Sequence, residues 1–459
     1  MSAPSAQLPV AVIGAGPTGM AAAAHLAHRG LDFVVLEAGD GVASSMADWA
    51  HVRLFSPWRL NTDPTARALL EATGWSAPNP EALPTGGDII SGYLAPLAAH
   101  RDIAPHLRLG VAVTAIARQQ FDKVRTAGRD AAPFVLRLSD GTELLASAVI
   151  DASGTWRTPN PLGGNGLVAF GEVEAREAGR VFDGMPDVVG RLRAEFAGKR
   201  VAVVGAGHSA AGTLIALAEL ADTGTAVHWM LRAPNPSRAY GGGEADALPA
   251  RGSIGTRMKA LADEGAVTVH TGFFVHEITD AGLVSADGRK VEADVIVNAT
   301  GARPDHGPAT ELRLDLDPIL GSTRALAPLI DPNEHSCGTV PPHGVDELTQ
   351  PEPGFYVVGA KSYGRAPTFL LATGYEQTRS VVAALAGDWA AARDVQLDRP
   401  ETGVCSTDLI AGGDQTAGAS CCGPDPADAA RGLATGVSGG LLSLPLVSVT
   451  ADGSGDSCC

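Results

Sequence analysis

Apolar residues fall in two kinds of run along this chain. Short runs rich in β-branched residues recur at Val10–Ile13, Phe33–Leu36, Ala148–Ile150, Arg200–Val204, Ala226–Leu231, Val295–Val297 and Phe355–Val358. Each is too short for a helix and reads as a strand. Longer alanine-rich runs from Met20 to His28 and from about Ala211 to Leu220 read as helices. Residues 85–100 place Ile89, Ile90, Tyr93, Leu94 and Leu97 on one helical face, and Tyr375 to Leu385 does the same with Val381, Val382 and Leu385. Phe134–Leu138 and Thr142–Leu145 flank the turn Ser139-Asp140-Gly141, a hairpin signal. Residues 163–198 show no comparable period and read as a looser connection.

Two strand-to-helix junctions carry the same glycine spacing. The first reads Gly14-Ala15-Gly16-Pro17-Thr18-Gly19, followed by a helix, a second strand, and Glu37 about 20 positions past the glycines. That is the dinucleotide-binding fingerprint in its required context. The first glycine permits the tight turn, the second lets backbone approach a pyrophosphate, and the third lets helix and strand pack closely. The helix N-terminus offers N–H groups and a positive dipole end to the phosphates, and Glu37 can accept hydrogen bonds from a ribose. The second junction reads Gly205-Ala206-Gly207-His208-Ser209-Ala210.

Each fingerprint is followed by a hairpin with an Asp-Gly turn (Asp140-Gly141, then Asp287-Gly288) and an apolar strand. The strand ends are alike too, at Ala152-Ser153-Gly154 and Ala299-Thr300-Gly301. The order is an internal duplication, and it predicts an α/β protein with two Rossmann-like dinucleotide-binding domains of three layers. The strand–Gly–helix pattern from Phe355 onward returns to the first domain, which makes that domain discontinuous. The expected boundaries are 1–163 and 319–395 for the two parts of the first dinucleotide-binding domain and 164–318 for the inserted second one. Residues 396–459, rich in Gly, Ala, Ser, Thr and Asp, are expected to be a flexible, disordered tail.

Composition narrows the partners. With 34 Lys and Arg against 51 Asp and Glu, the formal charge of −17 argues against nucleic acid, whose phosphates need a basic face. No run of about 18 apolar residues is present, so no membrane span is expected. The first fingerprint strand begins so early that a secretory signal has no room, and a cytoplasmic location is expected. Of the 6 cysteines only Cys337 precedes residue 400; Cys405, Cys421, Cys422, Cys458 and Cys459 lie in the tail, which is no disulfide framework.

The two fingerprints, the GAGHSA form of the second, and Ala299-Thr300-Gly301 resemble class B flavin-containing monooxygenases. The pattern overlaps thioredoxin-reductase-like flavoproteins, and is most similar to the flavoproteins of bacterial arsenic-resistance operons. The resemblance spans roughly residues 8–390. It implies that Gly14, Gly16, Gly19 and Glu37 hold FAD, and that Gly205, Gly207, Ser209 and Arg232 hold NADPH. Where the first module has Glu37 the second has Arg232, with Arg238 following; an arginine there accommodates a 2′-phosphate, so NADPH is expected over NADH. Trp49 and Arg53, in a stretch dense in aromatics, form either a wall beside the flavin or a satellite cluster under a loop. Gly359 ends the returning strand, and a helix beginning near Gly374 can aim its dipole at the flavin's N1–O2 edge. Two departures stand out. The monooxygenase signature FxGxxxHxxx[YW] is represented only by the fragments Phe170-Gly171 and Phe182-Asp183-Gly184, and no CxxC or CxxxxC sits beside the flavin segment.

In such a monooxygenase NADPH reduces FAD, and O2 adds to give a flavin hydroperoxide that oxygenates a soft N, S or metalloid centre, with arsenic among the metalloids the resemblance suggests. The small-molecule substrate and O2 are then the partners. Cys337, near His335 and His343, is the candidate for redox chemistry in the core, the other reading being an inert buried thiol. The adjacent pairs Cys421-Cys422 and Cys458-Cys459 suit a soft metalloid ion. Two further functions stay open: a metalloid- or thiol-linked NADPH oxidoreductase without oxygen insertion, using Cys337 and the tail pairs, and a non-enzymatic flavin-bearing redox or metalloid sensor.

Overall fold

A computed structural model describes residues 8–396 apart from 242, 244, 245, 247, 335–339 and 368. Cys337 and all the tail cysteines therefore lie outside the described residues.

The short apolar runs become strands of two parallel sheets. In the first, β1 (Val10–Ile13) pairs with β2 (Phe33–Leu36) and with β7 (Ala148–Asp151), so that Ile13 lies between Leu36 and Asp151. A two-residue β3 (Leu107–Arg108) adds beyond β2, and β16 (Phe355–Val357) adds beyond β7, with Phe355 opposite Val149. The order is β16-β7-β1-β2-β3. In the second sheet β9 (Arg200–Val204) lies between β10 (Ala226–Met230) and β15 (Val295–Asn298), flanked by β11 (Thr268–His270) and β8 (Val181–Asp183). The order β8-β15-β9-β10-β11 repeats the first sheet strand for strand.

The repeat differs in the origin of its outer strand. The second sheet draws β8 from the segment before its fingerprint, while the first draws β16 from the segment after the second module. The stretch 163–198, expected to be only a connection, thus contributes β8 and a short helix at Glu172–Glu177. An edge strand of three residues has no room to display a period. Phe355–Val357 returns to the first sheet as the duplication predicted.

Each parallel sheet carries a three-stranded antiparallel sheet. One is β4 (Val113–Arg118), β5 (Phe134–Leu138) and β6 (Glu143–Ala146); the other is β12 (Val275–Thr279), β13 (Gly282–Ser285) and β14 (Lys290–Glu292). The two hairpins are those marked by the Asp-Gly turns. The expected helix over 85–100 forms with a π turn at Ile90–Leu94 inside it, and Ile89, Tyr93, Leu94 and Leu97 are all buried.

Helix α1 (Pro17–His28) runs from the first fingerprint and α2 (His208–Ala218) from the second. After them come α3 (Pro249–Asp263) and α4 (Leu371–Leu385). Ala21 to Ala24 are fully buried in α1, because side chains of one carbon let the helix lie close to both its sheet and α4. Helix α4 begins one turn earlier than the sequence suggested, at Leu371, which puts Gly374 inside its first turn. Among the described residues no helix is long and apolar enough to cross a membrane.

Candidate cofactor-binding site

The carboxyl ends of the strands in a parallel sheet are where the loops can grip a ligand, and both fingerprints sit there. At the first, Gly14 has φ +94°, and a Cβ on it would stand 2.9 Å from Ala152 O. A Cβ on Gly19 would stand 1.9 Å from Gly14 O, so helix and strand touch backbone to backbone. Gly16 differs: nothing lies within 4 Å of its Cβ position. Two glycines are thus required by packing, and the middle one faces open space at a helix N-terminus that no side chain caps. A pyrophosphate fits that arrangement.

The second fingerprint repeats the division. Gly205, at φ +140°, would place a Cβ 2.2 Å from Ala299 O, while Gly207 has nothing within 4 Å. Ala210 takes the third position, fully buried, and Ser209 is half-buried in the first turn of α2.

Glu37 is buried, and the chain itself orients it. Its Oε2 accepts the Ala15 N–H at 2.7 Å, and its Oε1 accepts the Gly39 N–H at 2.9 Å and the Ser44 hydroxyl at 2.8 Å. Oε2 keeps one acceptor position for a ribose hydroxyl. Arg232, past the end of β10, is exposed, and among the described residues its guanidinium reaches Gly164 O at a long 3.4 Å. It is available to an incoming phosphate.

Gly359 and Gly374 serve close packing. Cβ atoms on them would stand 2.9 Å and 2.7 Å from Thr18 Oγ1. Thr18 lies in the first turn of α1 and Gly374 in the first turn of α4, so the positive ends of two helix dipoles converge beside Gly16. The Gly359 turn is fixed from within: its N–H donates to Gln377 Oε1 at 2.7 Å, and the Gln377 amide contacts His343 Nε2 at 3.0 Å. His343 Nδ1 lies 3.1 Å from Pro341 O, so both ring nitrogens are engaged in the fold.

The aromatic stretch after Glu37 divides. Trp58 is core. Trp49 packs on Gly86, where a Cβ would stand 2.9 Å from its ring, and tilts against Trp156 at 6.3 Å between centroids. Arg53 is exposed and bonds Leu83 O at 2.6 Å. Phe55 reaches the second module, its ring 5.0 Å from that of His208 at the start of α2. The buried pair Arg251–Asp246 stands behind, with Arg251 at 5.9 Å from the Phe55 centroid. His208 is exposed, yet neighbouring protein partly desolvates its ring and lowers its pKa, and the Arg251 charge adds to that. Sequence reasoning passed over His208, although its place between Gly207 and Ser209 singled it out.

It also passed over a buried ion pair. Lys361 Nζ donates to Asp151 Oδ2 at 2.7 Å and to Ser153 Oγ at 3.1 Å. The signal was Asp151 closing an apolar strand, a charge which burial obliges to find a partner; Lys361, in the turn Gly359–Tyr363, gave none. Among the described residues no group of His, Cys, Asp and Glu is placed to hold a metal.

Residues 8–319 match the pyridine nucleotide-disulphide oxidoreductase family. The chain belongs to that family. FAD and NAD(P)H are accordingly its cofactors, and the open space at Gly16 and Gly207 fits their pyrophosphates. The indole-3-pyruvate monooxygenase YUCCA1 of Oryza sativa subsp. japonica is 34% identical over 200 residues, which is 43% of this chain and 42% of that protein. The chain therefore matches less than half the length of this curated relative. Among solved structures, the bacillithiol disulfide reductase Bdr (YpdA) of Bacillus cereus aligns with 83% of this chain and 99% of its own at a TM-score of 0.61 and 19% identity. A flavin monooxygenase of Stenotrophomonas maltophilia, in a doubly substituted form, aligns with 83% and 98% at 0.52 and 21%.

Proposed function

We propose that this chain is an NADPH-dependent FAD monooxygenase that delivers one oxygen atom of O2 to a soft nitrogen, sulfur or metalloid centre. The observation that carries the reading is the thiol inventory: two dinucleotide modules feed a flavin, yet residues 1–400 hold a single cysteine, Cys337. No CxxC or CxxxxC pair lies beside the flavin segment, which supports an electron pair that leaves to an acceptor brought from outside. The likeness in sequence to a monooxygenase points to O2. FAD, when bound, takes a hydride from NADPH and supplies the electron pair with which O2 is split into water and the transferred oxygen. The balance is NADPH, H⁺, O2 and substrate giving NADP⁺, water and oxygenated substrate.

The chain's own groups bind and orient. Gly16 and Gly207 admit the pyrophosphates, the ends of α1 and α4 meet anionic charge, and Phe55 meets His208 at the start of α2. Oxygen uptake matching NADPH oxidation one for one, with an oxygenated product, is the expected result with a thioether, amine or arsenite panel. Full NADPH turnover under argon with a disulphide or thiol-bound metalloid would replace this reading with a thiol-linked oxidoreductase, which the tail cysteine pairs favour. Negligible NADPH oxidation by a flavin-loaded protein would leave a sensor. The arsenic connection rests on the sequence resemblance and on Cys421-Cys422 and Cys458-Cys459; arsenite binding that survives their replacement by serine removes it.

The choice of NADPH rests on Arg232. A charge-assisted hydrogen bond to the 2′-phosphate contributes about 1.5–3 kcal/mol, which is roughly 10–100-fold in affinity. Arg232→Ala is expected to raise the KM for NADPH by that factor and leave NADH unchanged. Equal KM values for the two nucleotides in the parent protein would discard the assignment.

A further inference from the structure

Lys361 and Asp151 are both about 4% exposed and stand at the carboxyl ends of neighbouring strands, β16 and β7. Besides its bond to Lys361, Asp151 accepts the Ser153 N–H at 3.1 Å and the Ser153 hydroxyl at 2.7 Å through Oδ1. Burial alone would push the Asp151 carboxyl up, but the Lys361 charge and the bonds from Lys361 and Ser153 outweigh it and hold the group ionised. The two charges are fixed in place. A buried pair of this kind does little for stability, since well-packed apolar residues of similar volume commonly do as well. Its position offers another reason for it.

The Asp151–Ser153 turn backs the phosphate loop. The Cβ position of Gly14 lies 2.9 Å from Ala152 O and 3.1 Å from Ser153 Cα, so the pair sits one residue behind the surface on which the flavin dinucleotide rests. His306 is close enough for both charges to act on it. Its Nε2 contacts Gly321 O at 2.9 Å and its Nδ1 is buried without a partner among the described residues. Charge placed next to a flavin alters how readily it accepts an electron pair, because reduction brings negative charge onto the ring. At the low effective dielectric of such a site a fixed charge acts over several ångströms.

We propose that Lys361 and Asp151 are positioning residues whose opposed charges, locked behind the Ala152–Gly154 turn, set the reduction potential of the bound flavin. The proposal rests on FAD being the cofactor and does not depend on where the electrons go afterwards. Removing the cation makes the flavin harder to reduce, and removing the anion makes it easier.

The test is an equilibrium reductive titration of the FAD-loaded full chain against a reference dye, with no nicotinamide or O2 present. Lys361→Met is expected to lower, and Asp151→Asn to raise, the equilibrium constant for two-electron reduction by at least tenfold, about 30 mV each way. The double variant is expected to return toward the parent value. A pair that is only structural lowers the melting temperature of both single variants and moves the two potentials together or not at all, which would overturn the proposal. If either single variant does not fold, the exchanged pair Asp151→Lys/Lys361→Asp, which keeps both charges and reverses their order, decides. A shifted potential in that protein supports the assignment, and the parent potential refutes it. Absence of oxygenase activity would leave these potentials untouched, so the two readings fail separately.

Discussion

Gly16→Val yields a protein that folds but no longer holds FAD, whereas Gly19→Val yields one that unfolds early. Both residues belong to the same six-residue motif, so a motif match alone would rank the substitutions together. The structure separates them. A Cβ at Gly16 meets nothing within 4 Å, and the backbone there, at φ −75° and ψ −177°, is open to any residue. The cost to the apo protein is the weaker N-cap, about 1 kcal/mol at most. The side chain instead occupies the space through which a pyrophosphate reaches the helix N-terminus, and FAD affinity is expected to fall by at least about 100-fold, or about 2.7 kcal/mol. At Gly19 the added Cβ would lie 1.9 Å from Gly14 O, and neither backbone can retreat without parting α1 from its sheet. That is overpacking at its upper end, about 3 kcal/mol or more. Urea denaturation of the apo proteins and quenching of FAD fluorescence measure the two effects. Equal destabilisation by both substitutions would refute the division of roles.

Glu352→Gln is expected to cost about 3–5 kcal/mol at neutral pH. Glu352 is 1% exposed and accepts from Arg118 Nε at 2.7 Å, from Arg129 Nη1 at 2.6 Å and from the Arg313 N–H at 3.0 Å. Arg118 also bonds Ala132 O and Pro353 O and lies 3.7 Å over the Phe134 ring. One carboxylate therefore fastens the β4-β5-β6 sheet to the segment that leads into β16. Glutamine keeps the shape but leaves two buried guanidinium groups without their counter-charge. Burial pushes the Glu352 carboxyl up, but the bonds from Arg129, Arg313 and Arg118 outweigh it and hold the folded-state pKa below the ordinary range. Its contribution is then complete above the unfolded carboxylate range and drains away as pH falls through the lower folded value. Urea midpoints from neutral to acid pH should fall in the parent protein and lose part of that slope in the variant. An unchanged slope would mean that other carboxylates carry the acid lability.

What could be read from the sequence was whatever is written locally. Glycine spacing, apolar runs and Asp-Gly turns named both fingerprints, both hairpins and the returning strand, because each is fixed by neighbours a few positions away. The π turn at Ile90–Leu94 and the three-residue β8 leave no periodic trace. Gly359 and Gly374 were legible as important glycines, yet their contact with Thr18 depends on how α4 crosses α1. The least visible features are charges that meet only in the fold: Asp151 with Lys361, and Arg118 and Arg129 with Glu352. Asp151 and Arg118 each close an apolar strand, which announces a partner without naming it, whereas Lys361, Arg129 and Glu352 lie in turns where nothing local announces one.

The outer strand of the first sheet has one more consequence, in the order in which the chain is made. Val149 leaves the ribosome long before Phe355, its neighbour in the sheet, and the whole second module is synthesised between them. At about 5–20 residues per second that wait lasts roughly 10–40 s. Throughout it β7 presents an unpaired edge, which is an invitation to foreign strands, and α4 has yet to bring its N-terminus to Gly16. FAD capture is therefore a late event in biosynthesis. A chain cut before Phe355 should carry an intact first fingerprint and still emerge colourless, whereas extension through Leu385 should restore the yellow. Flavin binding in this architecture would then report that both parts of the first domain have been made.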